Sequence, residues 1–234
     1  PGNRNALQSP GIYDGLMAGL DELERDPSLR AAVLTGADGA FCSGGDLRQL
    51  SEGGEDGARA AMTRNAWLYR RIALADKLIV AAVDGPAYGA GLGLAAACDV
   101  VVAAPSTVFC CAFVRVGAMP DGALFWSLPA RVGVAKARQL MLWATEVKGP
   151  EAVAMGLADD YADAASALPQ AHKLAQRIAR GPTRAYGRIK AGLRQAPMSI
   201  ESALAYQLDN APGLFNSAGF QEGATAFLEK RKPV

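Results

Sequence analysis

The 234-residue chain is half hydrophobic and one-fifth charged, the balance of a soluble globular enzyme built as one compact domain with an appendage, and this speaks against a disordered chain. Twenty-four Lys and Arg oppose twenty-three Asp and Glu for a net charge of +1. No basic stripe interleaves with aromatics, so the composition speaks against nucleic acid and for small-molecule partners. The longest apolar runs, such as Leu78–Val83, are too short to span a bilayer, and the opening Pro-Gly-Asn is no signal sequence; a cytoplasmic protein without membrane contact is expected.

Along the chain, Ser9 as N-cap and Pro10 in the first turn predict a helix whose apolar face carries Ile12, Leu16, Leu20 and Leu23, ended by Asp26-Pro27. The run Ala31–Thr35 predicts a buried strand, Leu78–Val83 a second and 100–102 a third, with a helix over 58–74 between the first two. Residues 51–57, Ser-Glu-Gly-Gly-Glu-Asp-Gly, read as a mobile loop. Strands alternating with helices imply parallel pairing through right-handed crossovers and an α/β fold class. Beyond about Leu124 the pattern turns helical. Pro150, Pro182 and Pro197 punctuate successive helices, Ser199 stands as an N-cap before Ile200, and Gly219 opens the last helix.

Two glycine-rich breaks carry the chemical signal. Residues 41–47, Phe-Cys-Ser-Gly-Gly-Asp-Leu, and 83–94, containing Gly85, Gly89, Gly91 and Gly93, each follow an apolar run and lead into a helix-like segment. Glycine lets backbone N–H groups approach a ligand, and the following helix adds partial positive charge, so two such breaks can form an oxyanion hole. As a dinucleotide cradle the second break fails, because Leu94 stands where a third glycine belongs and no acid follows about twenty residues on. Cys42, Cys98, Cys110 and Cys111 form no C-x-x-C pair and read as buried thiols; the single His172 flanks the apolar face of a helix and reads as solvated. Neither a Ser-His-Asp triad nor a zinc site finds its residues, so no metal is expected. Asp46 opens a helix as an N-cap, and Pro120-Asp121-Gly122 reads from its residues alone as a turn or cap.

The ordered set Arg4-Asn5-Ala6-Leu7, then F-x-S-G-G-D-L, then V-x-G-x-A-x-G-x-G-x-x-L-x-x-x-C-D, then Val116 to Gly122 and the tail Glu222 to Pro233 resembles the crotonase, or enoyl-CoA hydratase/isomerase, superfamily over essentially the whole chain. The resemblance is nearest to the phenylacetyl-CoA isomerases of bacterial aromatic degradation and the 3,2-enoyl-CoA isomerases. It implies a crotonase-like spiral of β-β-α turns over 1–180, and a helical region over 181–234 that covers coenzyme A and packs against neighbouring subunits as a homotrimer or homohexamer. It also implies a first strand ahead of Arg4, for which Pro1 leaves no room.

The resemblance assigns roles position by position. The backbone N–H groups of Gly45 and Ala90 are the oxyanion donors, and Arg4, Ala6, Ser43, Asp46 and Leu47 line the coenzyme A site, with Lys230 or Lys232 of a neighbouring subunit closing it. Coenzyme A enters as part of an acyl-CoA thioester substrate; no separate cofactor is implied. The two glutamates with which the family's hydratases deliver and activate water fall on Gly93 and Phe113, and neither residue can move a proton. Asp121 stands where the superfamily's isomerases carry an aspartate, and Val116, Met119, Phe125 and Trp126 are expected to raise its pKa by desolvation. The expected function is an enoyl-CoA isomerase with Asp121 as proton shuttle. A hydratase, an inactive acyl-CoA binder and a thioester hydrolase stay open at this point.

Overall fold

The computed structural model describes residues 4–7, 9 and 11–232. Helix α1 (Ile12–Arg25) precedes strand β1 (Ala31–Thr35), after which come helices α2 (Leu47–Glu52) and α3 (Gly54–Leu74), strands β2 (Leu78–Val83) and β3 (Pro86–Tyr88), helix α4 (Ala90–Ala97) and strands β4 (Val100–Ala103) and β5 (Val108–Cys110). A 3-10 turn (Ala112–Val116) then leads to α5 (Leu124–Trp143), broken at Gly133, followed by β6 (Val147–Lys148), α6 (Gly149–Ala154) and β7 (Asp160–Tyr161). Helices α7 (Leu168–Arg180), α8 (Thr183–Leu193), α9 (Ile200–Asn210), α10 (Pro212–Phe215) and α11 (Ala218–Leu228) complete the chain. None of the described helices is long and apolar enough to cross a membrane.

Strands β1, β2, β4 and β7 form one parallel sheet in that order, with Val33 opposite Val80 and Ala81 opposite Val101. Its continuous apolar runs follow from burial on both faces. Ile79, Ala81 and Val83 of β2 face the main core with Leu68, Ile72 and Leu92, whereas Val80 and Ala82 face Ala171 and Ala175 of α7. A smaller sheet, β3-β5-β6, pairs β3 with β5 in parallel and β5 with β6 antiparallel. Packed against α3, α5 and β3, α4 is buried along its whole length, which its Ala-Gly-Leu-Gly-Leu-Ala-Ala-Ala sequence permits.

Two local expectations are overturned. Ser9 does not cap α1: Gly11 takes the cap with φ 79°, no side chain bonds the first turn, and Ser9 Oγ is buried without a partner among the described residues. Pro10 lies outside the described residues. Segment 51–57 is not a loop either, because α2 runs to Glu52 and α3 starts at Gly54, whose φ of 58° redirects the chain in one step. Glu55 and Asp56 in the first turn of α3 suit its dipole, so the same acidic, glycine-rich composition that reads as a loop opens a helix. Ser199 caps α9 as expected, accepting from Ser202 N, and Ser217 caps α11, which starts at Ala218, one residue ahead of the expected Gly219.

Candidate active site

The two glycine-rich breaks meet backbone to backbone. Cys42 N donates to Pro86 O and Tyr88 N to Cys42 O, each at 3.0 Å, so the first break runs as a parallel bridge beside β3. A Cβ on Gly91 would stand 2.2 Å from Cys42 O, and one on Gly44, at φ 96°, would stand 2.6 Å from Tyr88 O and 3.3 Å from Ala90 N. Only glycine permits this approach. Gly45 thereby comes to the N-terminus of α4, whose first residue is Ala90. Among the described residues neither the Gly45 nor the Ala90 N–H donates a hydrogen bond; for Ala90, the first residue of α4, this is the state in which a helix leaves its first donors.

Asp121 stands one helix away, in the turn before α5. Its Oδ1 is buried with no partner among the described residues, and burial alone pushes its carboxyl above the ordinary aspartate value. With Met62, Ala66, Tyr69, Gly122 and Trp126 it lines a cleft of about 470 Å³. Tyr69 links this cleft to the glycine junction: its hydroxyl donates to Ala90 O at 2.9 Å, and burial, with the Asp121 charge adding, holds that hydroxyl well above its ordinary pKa, so it remains a donor. The direction expected for Asp121 and its cause, desolvation, therefore stand, but the side chains around it differ. Val116, Met119 and Phe125 are more than half exposed and line no part of the cleft; of the four expected side chains only Trp126 does.

The two positions at which the resemblance expects glutamates, Gly93 and Phe113, are closely packed. A Cβ on Gly93 would stand 2.4 Å from Gly122 O and 3.0 Å from Gly122 Cα, so the Asp121-Gly122 turn occupies the space a side chain at 93 would need. The Phe113 ring lies against Gly89, 3.6 Å from where its Cβ would be, and closes the start of α4 with carbon.

The first described residues join the same junction. Ser43 N donates to Arg4 O at 2.9 Å and Leu7 N to Gly44 O at 3.0 Å, which brings Arg4, Ala6 and Ser43 together. Asp46 caps α2, its Oδ1 accepting from Arg48 N at 3.0 Å and Gln49 N at 3.3 Å, and Leu47 is exposed on the first turn. His172 is exposed on α7, and Cys42 is buried with its thiol pushed up to about 11 by desolvation, the opposite of an activated nucleophile. The sequence reading missed Tyr69, because an aromatic on the apolar face of a helix looks like core; only the long-range contact to Ala90 O distinguishes it.

The family model described as enoyl-CoA hydratase/isomerase matches residues 1–234. The chain belongs to that family. A "probable enoyl-CoA hydratase" of Rhodobacter capsulatus is 40% identical over 208 residues, 87% of this chain and 80% of that protein. A 1,2-epoxyphenylacetyl-CoA isomerase of Escherichia coli is 34% identical over 219 residues, 92% of this chain and 84% of its own. The solved enoyl-CoA hydratase of Polaromonas sp. JS666 superposes with a TM-score of 0.90 at 31% identity, covering 96% of this chain and 89% of that one. The enoyl-CoA hydratase/isomerase assignment thus fixes the fold as crotonase-like, while the relatives' names divide between water addition and isomerisation.

Proposed function

We propose that this family member is an enoyl-CoA isomerase that moves a double bond from the 3- to the 2-position of an acyl-CoA thioester. One observation carries the reading: the half-buried Asp121, its Oδ1 without a partner among the described residues, lines a cleft that Tyr69 joins to Ala90 at the glycine junction, while Gly93 and Phe113 stand where the resemblance expects the water-activating glutamates. In the proposed reaction the Asp121 carboxylate takes the C2 proton, and the C–H electron pair becomes an enolate whose oxygen is held by the Gly45 and Ala90 N–H groups. Each such donor contributes about 3 kcal/mol where it meets developing charge. The same carboxylic acid then returns the proton at C4 as the C2=C3 bond forms and the C3=C4 bond is lost. Atoms and electrons balance without water, metal or redox partner, and one base serves both steps.

In this reading Arg4, Ala6, Ser43, Asp46 and Leu47 receive coenzyme A, consistent with the packing of the first segment on the Ser43–Gly45 break. The isomerase name of the Escherichia coli relative agrees with it; the hydratase name of the Rhodobacter relative makes hydration the outcome to test against. A structure with bound acyl-CoA decides the geometry. Both nitrogens are expected about 2.7–3.1 Å from the thioester oxygen, with the Asp121 carboxylate facing C2 and C4. An oxygen bound by water or side chains instead overturns the proposal.

A further inference from the structure

Tyr69 comes from the face of α3 that carries Leu68 and Ile72 into the core, and it is 3% exposed. Its hydroxyl reaches Ala90 O, and a Cβ on Gly122 would stand 3.2 Å from both its Cζ and its Oη. One side chain therefore touches the first residue of α4 and the backbone next to Asp121. We infer that Tyr69 is a positioning residue, whose hydroxyl holds the Ala90 carbonyl, one Cα away from the Ala90 N–H, and whose ring keeps water from the Asp121 carboxylate. The inference rests on the isomerase reading.

The two roles have separate physical grounds. The first turn of a helix lacks intrahelical partners for its N–H groups, so its tilt depends on lateral contacts, and an oxyanion donor loses its effect when it is misaimed by a fraction of an ångström. The hydroxyl of Tyr69 is such a lateral contact. The ring acts on Asp121, whose Oδ1 meets no hydrogen-bond donor among the described residues. The charged and titratable groups around the cleft are engaged elsewhere or neutral. Arg70 of α3 lies 5.1 Å from the centre of the Trp67 ring, and Arg194, at the end of α8, donates to Ala73 O at 2.7 Å, one helical turn beyond Tyr69. Burial pushes the thiols of Cys42 and Cys111 up to about 11 and about 12, and α4 carries no charged residue. Asn65, Arg70 and Arg194 line the cleft beside apolar Met62, Leu74 and Trp126, and Tyr69 is the large buried side chain among them.

Tyr69→Phe and Tyr69→Ala separate hydroxyl from ring when kcat and KM for 3-enoyl-CoA isomerisation are measured across pH beside melting temperature. Tyr69→Phe is expected to lower kcat about tenfold at unchanged KM, the effect of one lost hydrogen bond, with the acid limb of the profile in place. Tyr69→Ala is expected to lower kcat further and to move the acid limb down toward an ordinary carboxylate, because water then reaches Asp121. A Tyr69→Phe variant with wild-type kcat per folded molecule and only a lower melting temperature would assign Tyr69 a merely structural role and overturn the inference. So would an unmoved acid limb in Tyr69→Ala. Tyr69→Phe keeps the ring volume, so it decides the case even if Tyr69→Ala fails to fold. A wild-type protein that isomerises nothing would sink the isomerase reading and this inference together, which an active wild type with an unaffected Tyr69→Phe would not.

Discussion

Asp99 and Asp121 are driven above the ordinary aspartate pKa by the same cause, removal from water, and then diverge. Asp99 Oδ2 accepts from Lys190 Nζ and from Ile79 N, each at 2.8 Å, and so ties α8 to the start of β2. Asp121 Oδ1 is buried and accepts from nothing among the described residues, and the residue lines a cleft. Burial of a carboxylate is costly in both places. At Asp99 a partner offsets the cost and the product is structure; at Asp121 the cost is left standing, as the proposed proton shuttle requires.

The comparison breaks first at its structural arm. Asp99→Ala leaves the Lys190 ammonium buried without its counter-charge and should cost about 3–5 kcal/mol in chemical denaturation, while turnover per folded molecule stays within a few-fold of wild type. Asp121→Asn should do the reverse, lowering isomerase kcat by at least about 100-fold. Because the folded-state pKa of Asp121 is raised, the wild type loses stability as pH climbs from the unfolded pKa through the folded one. Asp121→Asn removes that loss, so at neutral pH it should melt no lower than wild type. A variant both slow and markedly less stable would mean that Asp121, like Asp99, holds structure.

Smaller effects sharpen the Asp121 arm. Gly93→Ala drives a methyl group into Gly122 O and should cost about 1–3 kcal/mol by overpacking, with turnover falling as the Asp121 turn shifts; unchanged kcat would show the turn to be adaptable. The smallest predicted effect is in pH. The acid limb of kcat/KM should lie above the ordinary aspartate value of 3.8, because protonated Asp121 cannot take the C2 proton and its pKa is raised. A limb at or below that value would mean a solvated base.

Much of this was readable in the chain. Runs such as Leu78–Val83 announced strands because a sheet buried on both faces needs unbroken apolar sequence, whereas β3, β5, β6 and β7, of two or three residues each, fall below any periodic signal. Gly44, Gly91 and Gly93 stood out as glycines; that backbone atoms of Tyr88, Cys42 and Gly122 fill the space beside them is tertiary information. The neighbours of Asp121 in sequence proved poor guides to its surroundings. Val116 in the 3-10 turn, Met119 in the segment after it and Phe125 in α5 are exposed, and most of the wall comes from α3, more than forty residues earlier.

The central claim is that this chain moves a proton within an acyl-CoA and does not add water. Its most direct test is one preparation of wild-type protein assayed with a 3-enoyl-CoA for isomerisation and with the matching 2-enoyl-CoA for hydration. The account predicts isomerisation much faster than hydration, because the Gly93 and Phe113 positions hold no acid to activate water. A hydration rate equal to or above the isomerisation rate would contradict it.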